Sequence, residues 1–266
     1  LLIIIIKQKM IIIKDKYTLK NLIKNSIVSF VPTMGGLHKG HEYLIRQAKQ
    51  KSKNILVSIY VNPKQFNSKS DFNKYPRNLK KDLKILKRNK VKYVFLPTYN
   101  QIFNFRTIKP IYLSKFAKQL CGKYRPGHFR GVINVVNRFL EIISPKYIFL
   151  GEKDYQQLFL IKEHIKKNNI KTKVIPCKTI REVNGLACSS RNKSLSKSQF
   201  NLAGIVFKTI KKMMGKNSLK EIKFQLNKLG IKKIDYIEKI KIKNETRLFI
   251  AYYIKQTRLI DNIKLN

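Results

Sequence analysis

The chain has 266 residues and is 43% hydrophobic, ample for a core, with 58 Lys or Arg against 14 Asp or Glu and a formal net charge of +44. The basic excess is even, 38 against 8 acidic residues in 1–178 and 20 against 6 in 179–266, so it forms no tail or stripe to carry a nucleic-acid footprint. Three cysteines, Cys121, Cys177 and Cys188, make no CxxC pair and no metal-ligand spacing, which excludes a disulfide scaffold or zinc site and fits a reducing cytoplasm.

Lys, Ile and Asn, all encoded by AT-rich codons, dominate the composition; the charge reads mainly as codon bias, and a basic nucleic-acid-binding protein is the alternative. The opening run Leu1-Leu2-Ile3-Ile4-Ile5-Ile6 is too short to span a bilayer and lacks a charged leader or cleavage site. Met10-Ile11-Ile12-Ile13 reads as the first strand, with translation starting at Met10.

An apolar strand over 27–31 runs into Pro32-Thr33-Met34-Gly35-Gly36-Leu37-His38-Lys39-Gly40-His41 and then a helical pattern over 39–51. Strand, glycine-rich turn and helix start together aim backbone N–H groups and the positive helix end at a nucleotide phosphate. Gly35, Gly36 and Gly40 let the backbone approach closely. His38 and His41, two of the chain's four histidines, share one face of the first turn. Imidazoles there suit charge that develops on a phosphate.

Strand 55–61 ends at Asn62-Pro63-Lys64-Gln65-Phe66. Asn-Pro stops the strand and leaves Gln65 at the sheet's carboxyl edge, an amide that both donates and accepts. A helix over 77–89 and a strand over 92–96 follow. Tyr124-Arg125-Pro126-Gly127-His128-Phe129-Arg130 leads into a helix over 129–143, where the cationic groups serve either anion contact or loop stiffening. Strand 147–150 runs into Gly151-Glu152-Lys153-Asp154-Tyr155-Gln156-Gln157 and a helix over 154–168. Lys153 is a point charge for phosphate. Asp154 either caps the helix or accepts from a ribose or a hydrated Mg²⁺. Gln157 lies one helical turn past Lys153.

A strand over 172–176 completes the alternation. The rhythm predicts an α/β chain: a Rossmann-like, doubly wound parallel sheet over 1–178, with ligands at the carboxyl ends of its strands. After a hinge near 177–180, Arg181 to Asn192 offers Ser189, Ser190 and Arg191 on a loop suited to close over a triphosphate. Helices over 196–213 and 218–229 and strand-like runs near 233–242 and 247–255 predict a second, smaller α+β domain over 179–266.

The runs PTMGGLHKGH, SIYVNPKQF, YPRNLKKDL, RPGHFRGV, FLGEKDYQQL, REVNGLACSSRN and TRLIDN resemble, in order and spacing, the pantothenate synthetase (pantoate–β-alanine ligase) family of HxGH nucleotidyltransferases. They cover nearly the whole chain. The resemblance implies ATP-dependent ligation of (R)-pantoate and β-alanine to pantothenate, on the way to coenzyme A. Pantoyl adenylate is the intermediate, AMP and pyrophosphate are released, and Mg²⁺ accompanies ATP without a dedicated metal site. It further implies ATP contacts at Met34, Gly35, Gly36, Leu37, His38, Lys39, Gly40 and His41, at Gly151, Glu152, Lys153 and Asp154, and at Ile180, Cys188, Ser189, Ser190 and Arg191. Gln65 and Gln157 would hold pantoate, with Gln65 also near β-alanine. His41, with His38, Lys153 and Arg191, would be catalytic. A cytoplasmic homodimer is expected, its small C-terminal domain acting as a lid, with small-molecule substrates and neither a nucleic-acid nor a membrane partner. Another HxGH adenylyltransferase is the competing reading, but it gives no reason for NPKQF or KDYQQ. The chain departs from the family at Cys188, where Met or Leu is usual, at Asn134 and Asn184, and at Phe103.

Overall fold

The structure is a computed structural model that describes residues 10–215 and 217–265; the expectations for Leu1–Ile6 lie outside them. Short β-branched runs make the main sheet. In chain order its part of the fold is β1 (Ile11–Ile13), α1 (Lys16–Ile23), β2 (Val28–Thr33), α2 (Lys39–Lys49), β3 (Asn54–Ile59), α3 (Lys69–Lys74), α4 (Leu79–Arg88) and β4 (Tyr93–Phe95). There follow α5 (Tyr99–Phe103), α6 (Cys121–Tyr124), α7 (His128–Ile143), β5 (Tyr147–Gly151), α8 (Tyr155–Lys167) and β6 (Lys173–Cys177). All six strands are parallel, in the order β1-β4-β3-β2-β5-β6. From β2 the chain builds outward through β3 and β4, then crosses to β5 and β6 on the other side. The order therefore reverses between β2 and β5, and the crevice beyond their carboxyl ends is where an open α/β sheet binds ligands.

Alternation along the strands supplies two cores. Phe30, Leu56, Phe95 and Ile148 face α1, α7 and α8. Their neighbours Val31, Val57, Val94 and Phe149 face α2 and α4. Both faces are covered, so the strands read as continuous apolar runs. Burying one such side chain stabilises the fold by about 1.5–3 kcal/mol.

The remainder is α9 (Lys197–Met213), α10 (Leu219–Lys228), β7 (Lys233–Ile242), β8 (Glu245–Ile254) and β9 (Thr257–Lys264), the strands forming an antiparallel meander. Ser196 with Gln199 and Ser218 with Glu221 make capping boxes that start the two helices. On β8, Leu248, Ile250, Tyr252 and Ile254 pack with α9 and α10. Phe249 and Ala251, between them, join the core under α7 and α8. The small sheet is thus packed on both faces.

The six sheet strands read from the sequence, Met10–Ile13 among them, are present within two residues. Five elements were not anticipated: the short helices α3, α5 and α6, and α1 and β9. In α1 only Leu19 and Ile23 are buried, too short a stripe to show a period. β9 carries charged or polar side chains at Arg258, Asp261 and Asn262 that are tied to the rest of the fold, which breaks its apolar alternation.

Candidate active site

The turns that follow β2 and β5 meet at the switch point. With the segment 178–192 and the start of β9 they line one cavity of about 280 Å³. Met34, His38, Gly40, His41, Gln65, Gly151, Lys153, Asp154, Gln157, Ile180, Cys188, Ser189, Ser190 and Arg191 all line it. Gly35, Gly36, Leu37, Lys39 and Glu152 stand outside that lining.

The turn after β2 is built differently from the sequence expectation. Gly35 and Gly36 have φ of 78° and 65°, the left-handed region that glycine adopts freely. A Cβ on Gly36 would meet the Ser190 side chain at 3.1 Å and the Pro76 carbonyl at 3.2 Å. The N–H groups of Gly36 and Leu37 are not free for phosphate. Each donates to the Asp82 carboxylate of α4 at 2.8 Å, and Asp82 is only 2% exposed. Gly35 N–H points to Thr33 Oγ1 at 3.2 Å. A buried carboxylate must be satisfied by donors, and these N–H groups supply them. Lys39 is turned outward, its Nζ 3.7 Å from Glu182.

His38 caps α2: its Nδ1 accepts from Gly40 N–H at 3.1 Å. In the neutral ring the proton then sits on Nε2, leaving a donor. Burial, with added repulsion from His41, Lys153 and Lys193, lowers its pKa to about 2. Burial also lowers the pKa of His41 to about 4, against the pull of Asp154. The two rings lie 4.1 Å apart, and among the described residues His41 Nδ1 has no hydrogen-bond partner. With pKa values lowered this far, each imidazole carries one N–H and no positive charge at pH 7.

Gln65 is fixed from behind. Its carbonyl accepts from Arg125 Nη2 at 2.9 Å and from His128 Nδ1 at 2.7 Å. A carbonyl only accepts, so His128 carries its proton on Nδ1 and Nε2 faces Arg125 Nη1 at 3.2 Å. A Cβ on Gly131 would sit 2.1 Å from the Lys64 carbonyl, so α7 docks against this turn backbone to backbone. Of the two readings of the Arg125–His128 loop, this geometry carries loop stiffening. The paired glutamines separate in role. Gln156 is buried; its Oε1 accepts from Cys121 N–H at 3.1 Å and its Nε2 donates to the Phe116 and Gln119 carbonyls, each at 2.8 Å. Gln157 faces the cavity.

The opposite wall is a latch. Arg191 Nη2 bonds both Asp71 oxygens, at 3.0 and 3.1 Å, and Ser190 Oγ bonds the Tyr75 hydroxyl at 3.2 Å. Segments 71–75 and 190–191 therefore hold each other across the cavity mouth. Cys188 donates its N–H to the Ile180 carbonyl at 2.9 Å. Burial and then Glu182 push its thiol up to about 11, so it is an uncharged wall. Asn184 fills a structural place: Oδ1 accepts from Leu186 N–H at 3.1 Å and Nδ2 donates to the Phe200 carbonyl at 2.8 Å.

Lys153 stands 3.4 Å from Asp154. Its backbone is held from the small sheet: Asn262 Nδ2 donates to the Glu152 and Lys153 carbonyls at 2.8 and 2.9 Å, while Asn262 Oδ1 accepts from Arg247 at 2.7 Å. Asp82 and Asn262 were not among the expected site residues. Asp82 had a signal, since it interrupts the apolar stripe Leu79, Leu83, Leu86 of α4. Among the described residues no group of three His, Cys, Asp or Glu side chains is placed to hold a metal, and no helix is long and apolar enough to cross a membrane.

The family model for pantoate–β-alanine ligase matches residues 8–264. Pantothenate synthetase of Francisella tularensis subsp. novicida is 41% identical over 254 residues, 94% of each chain. The chain belongs to the pantoate–β-alanine ligase family. Among solved structures of that family, the Francisella tularensis ligase complexed with beta-gamma ATP and β-alanine superposes with a TM-score of 0.86 at 40% identity, covering 96% of this chain and 98% of its own. Pantothenate synthetase from Thermus thermophilus gives the same score at 29% identity, covering 96% and 99%. Membership in the pantoate–β-alanine ligase family gives the activity: ATP-driven joining of pantoate and β-alanine into pantothenate.

Proposed function

We propose that the switch-point cavity carries both halves of this ligation, with the phosphates between the histidine turn and Lys153 and the acyl substrate between Gln65 and Gln157. The observation that supports this is the convergence of His38, His41, Lys153, Gln65 and Gln157 on one cavity. In the first half, a pantoate carboxylate oxygen bonds to the α-phosphorus of Mg–ATP while the bond to the bridging oxygen of pyrophosphate breaks. Negative charge shifts onto the phosphoryl oxygens. The neutral N–H of His38 and of His41 stabilise it without the cost of desolvating a cation, and Lys153 supplies a full charge. Arg191 exchanges Asp71 for the more highly charged triphosphate. Mg²⁺ would come with its nucleotide and help neutralise the phosphates, and Asp154, which lines the cavity, would be the carboxylate to hold it; Mg²⁺ characteristically keeps water and phosphate ligands with one or two carboxylates. In the second half the β-alanine amine attacks the acyl carbon, the acyl–phosphate bond breaks, AMP leaves and the amine proton is lost.

The chain is further proposed to work in the cytoplasm as a homodimer, the half-exposed Ile11 and Ile12 on edge strand β1 being the surface that supports association. The three cysteines are buried and unpaired, as a reducing compartment requires. Exchange of labelled pyrophosphate into ATP tests the scheme: it should need pantoate and Mg²⁺ but not β-alanine. His41→Ala should slow exchange by roughly 10²–10³-fold, the cost of removing one such donor. Exchange that requires β-alanine would overturn the order of steps, and normal exchange in His41→Ala would remove that residue from the chemistry.

A further inference from the structure

A third guanidinium lines the cavity and has no part in that scheme. Arg258, at the start of β9, is 11% exposed. Its Nε donates to Asp235 Oδ2 at 2.8 Å, which fixes the plane of the group. Its two terminal nitrogens reach the Cys121 sulfur, at 3.7 and 3.8 Å, with the Tyr236 hydroxyl beside them. Sulfur is a weak acceptor, and a guanidinium has five N–H donors to satisfy. Among the described residues Asp235 is the one carboxylate it pairs with, through Nε, and the terminal edge lines the cavity.

The other two arginines of the cavity are committed. Arg125 spends Nε on Asn67, Nη1 on His128 and Nη2 on the Gln65 carbonyl. Arg191 is taken by Asp71. The three lie close enough that Arg191 and Arg258 both lower the pKa of Arg125, after the larger effect of burial. Asp71 and Asp235 answer two of the three positive charges, so this end of the cavity favours one more anion.

The chemistry names that anion. The charge of ATP is met on the Lys153 side. The pantoate carboxylate is the nucleophile and ends as an acyl group, losing its charge. The β-alanine carboxylate alone passes through both steps unchanged, and two methylenes separate it from the amine that must reach the acyl carbon beside Gln65.

Resting on the ligase reading above, we propose that Arg258 binds the carboxylate of β-alanine and selects it over uncharged amines. Asp235 and Cys121 hold the guanidinium ready, so the incoming carboxylate finds two parallel N–H donors in place.

The test compares the parent chain with Arg258→Gln and Arg258→Lys, using β-alanine or its neutral analogue 3-aminopropanamide as the amine. In Arg258→Gln, kcat/KM for β-alanine should fall roughly 10–100-fold, the span of a lost hydrogen-bonded charge. The value for 3-aminopropanamide should change much less, so the preference for the carboxylate collapses. Arg258→Lys should lie between, because an ammonium keeps the charge but not the two-pronged geometry. An equal loss for both amines in Arg258→Gln, or an undiminished preference for β-alanine, would overturn the assignment. If Arg258→Gln does not melt cooperatively, Arg258→Lys decides: an unchanged preference there overturns it. Absence of pantoate-dependent pyrophosphate exchange in the parent chain would refute the ligase scheme instead, an outcome separate from this ratio.

Discussion

Asp82 is the acid on which the histidine turn rests, and Asp82→Asn tests that directly. The native carboxylate accepts from Gly36 and Leu37 N–H at 2.8 Å each. In Asn, one oxygen becomes an NH₂ that faces a donor, so one buried backbone N–H loses its acceptor. Leaving such a group unmet costs about 1–3 kcal/mol, and Asp82→Ala, which strands both, costs about twice that. Against a typical domain stability of about 5–15 kcal/mol, the first variant folds and the second is marginal. Urea unfolding measures the loss. Glu238→Gln, an exposed acid on β7, controls for the added net charge and should change stability by less than about 0.5 kcal/mol. Because His38 directly follows Leu37, pyrophosphate exchange in Asp82→Asn should fall with stability, even at temperatures where the protein is folded. A stability for Asp82→Asn equal to that of the control would refute the anchoring role.

Other outcomes follow from the same geometry. Gln157→Ala should raise KM for pantoate roughly 5–100-fold, one buried hydrogen bond's worth, with KM for ATP little changed; Gln156→Ala should instead lower the melting temperature, since it strands the Cys121 N–H and two carbonyls. A rise in KM for ATP alone in Gln157→Ala would reverse the placement of substrates. Asn262→Ala should slow exchange by freeing the Lys153 backbone, and unchanged kinetics with lowered stability would make Asn262 purely structural. Burial lowers the pKa of all four histidines: to about 2 for His38, about 3 for His128, and about 4 for His41 and His164. The unfolded chain takes up these protons near pH 6.5 and the folded one much lower. Stability is therefore full above about pH 6.5 and falls as pH drops through 6 and 5, by up to about a tenfold change in folding constant per histidine per pH unit. A melting temperature that is flat from pH 7 to pH 5 would contradict neutral burial.

The parallel sheet was legible because its strands are buried on both faces and so read as plain apolar runs. The histidine turn was legible because glycine, histidine and a strand end coincide. What the sequence hid was mostly partnership across distance. Nothing near Gly36 announces that its N–H will meet Asp82, 46 residues on. Nothing in Lys153 shows that its carbonyl will be held by Asn262, 109 residues away. Arg125 and His128 looked as suited to an anion as to a loop, and only their convergence on the Gln65 carbonyl decides between the two. β9 was hidden because its polar side chains, Arg258, Asp261 and Asn262, are tied to the rest of the fold and break the period.

One strand governs how the molecule comes apart. Alternate residues of β8 belong to different cores, Leu248 and Ile250 to one and Phe249 and Ala251 to the other. Melting either core removes one side of the packing that holds β8 and so loosens the other. The two sheets are thereby joined into a single cooperative unit. Amide protons of β8 should exchange with solvent as slowly as those of β2 and β5, and only through opening of the whole molecule, so the site between the two sheets persists or dissolves as one piece.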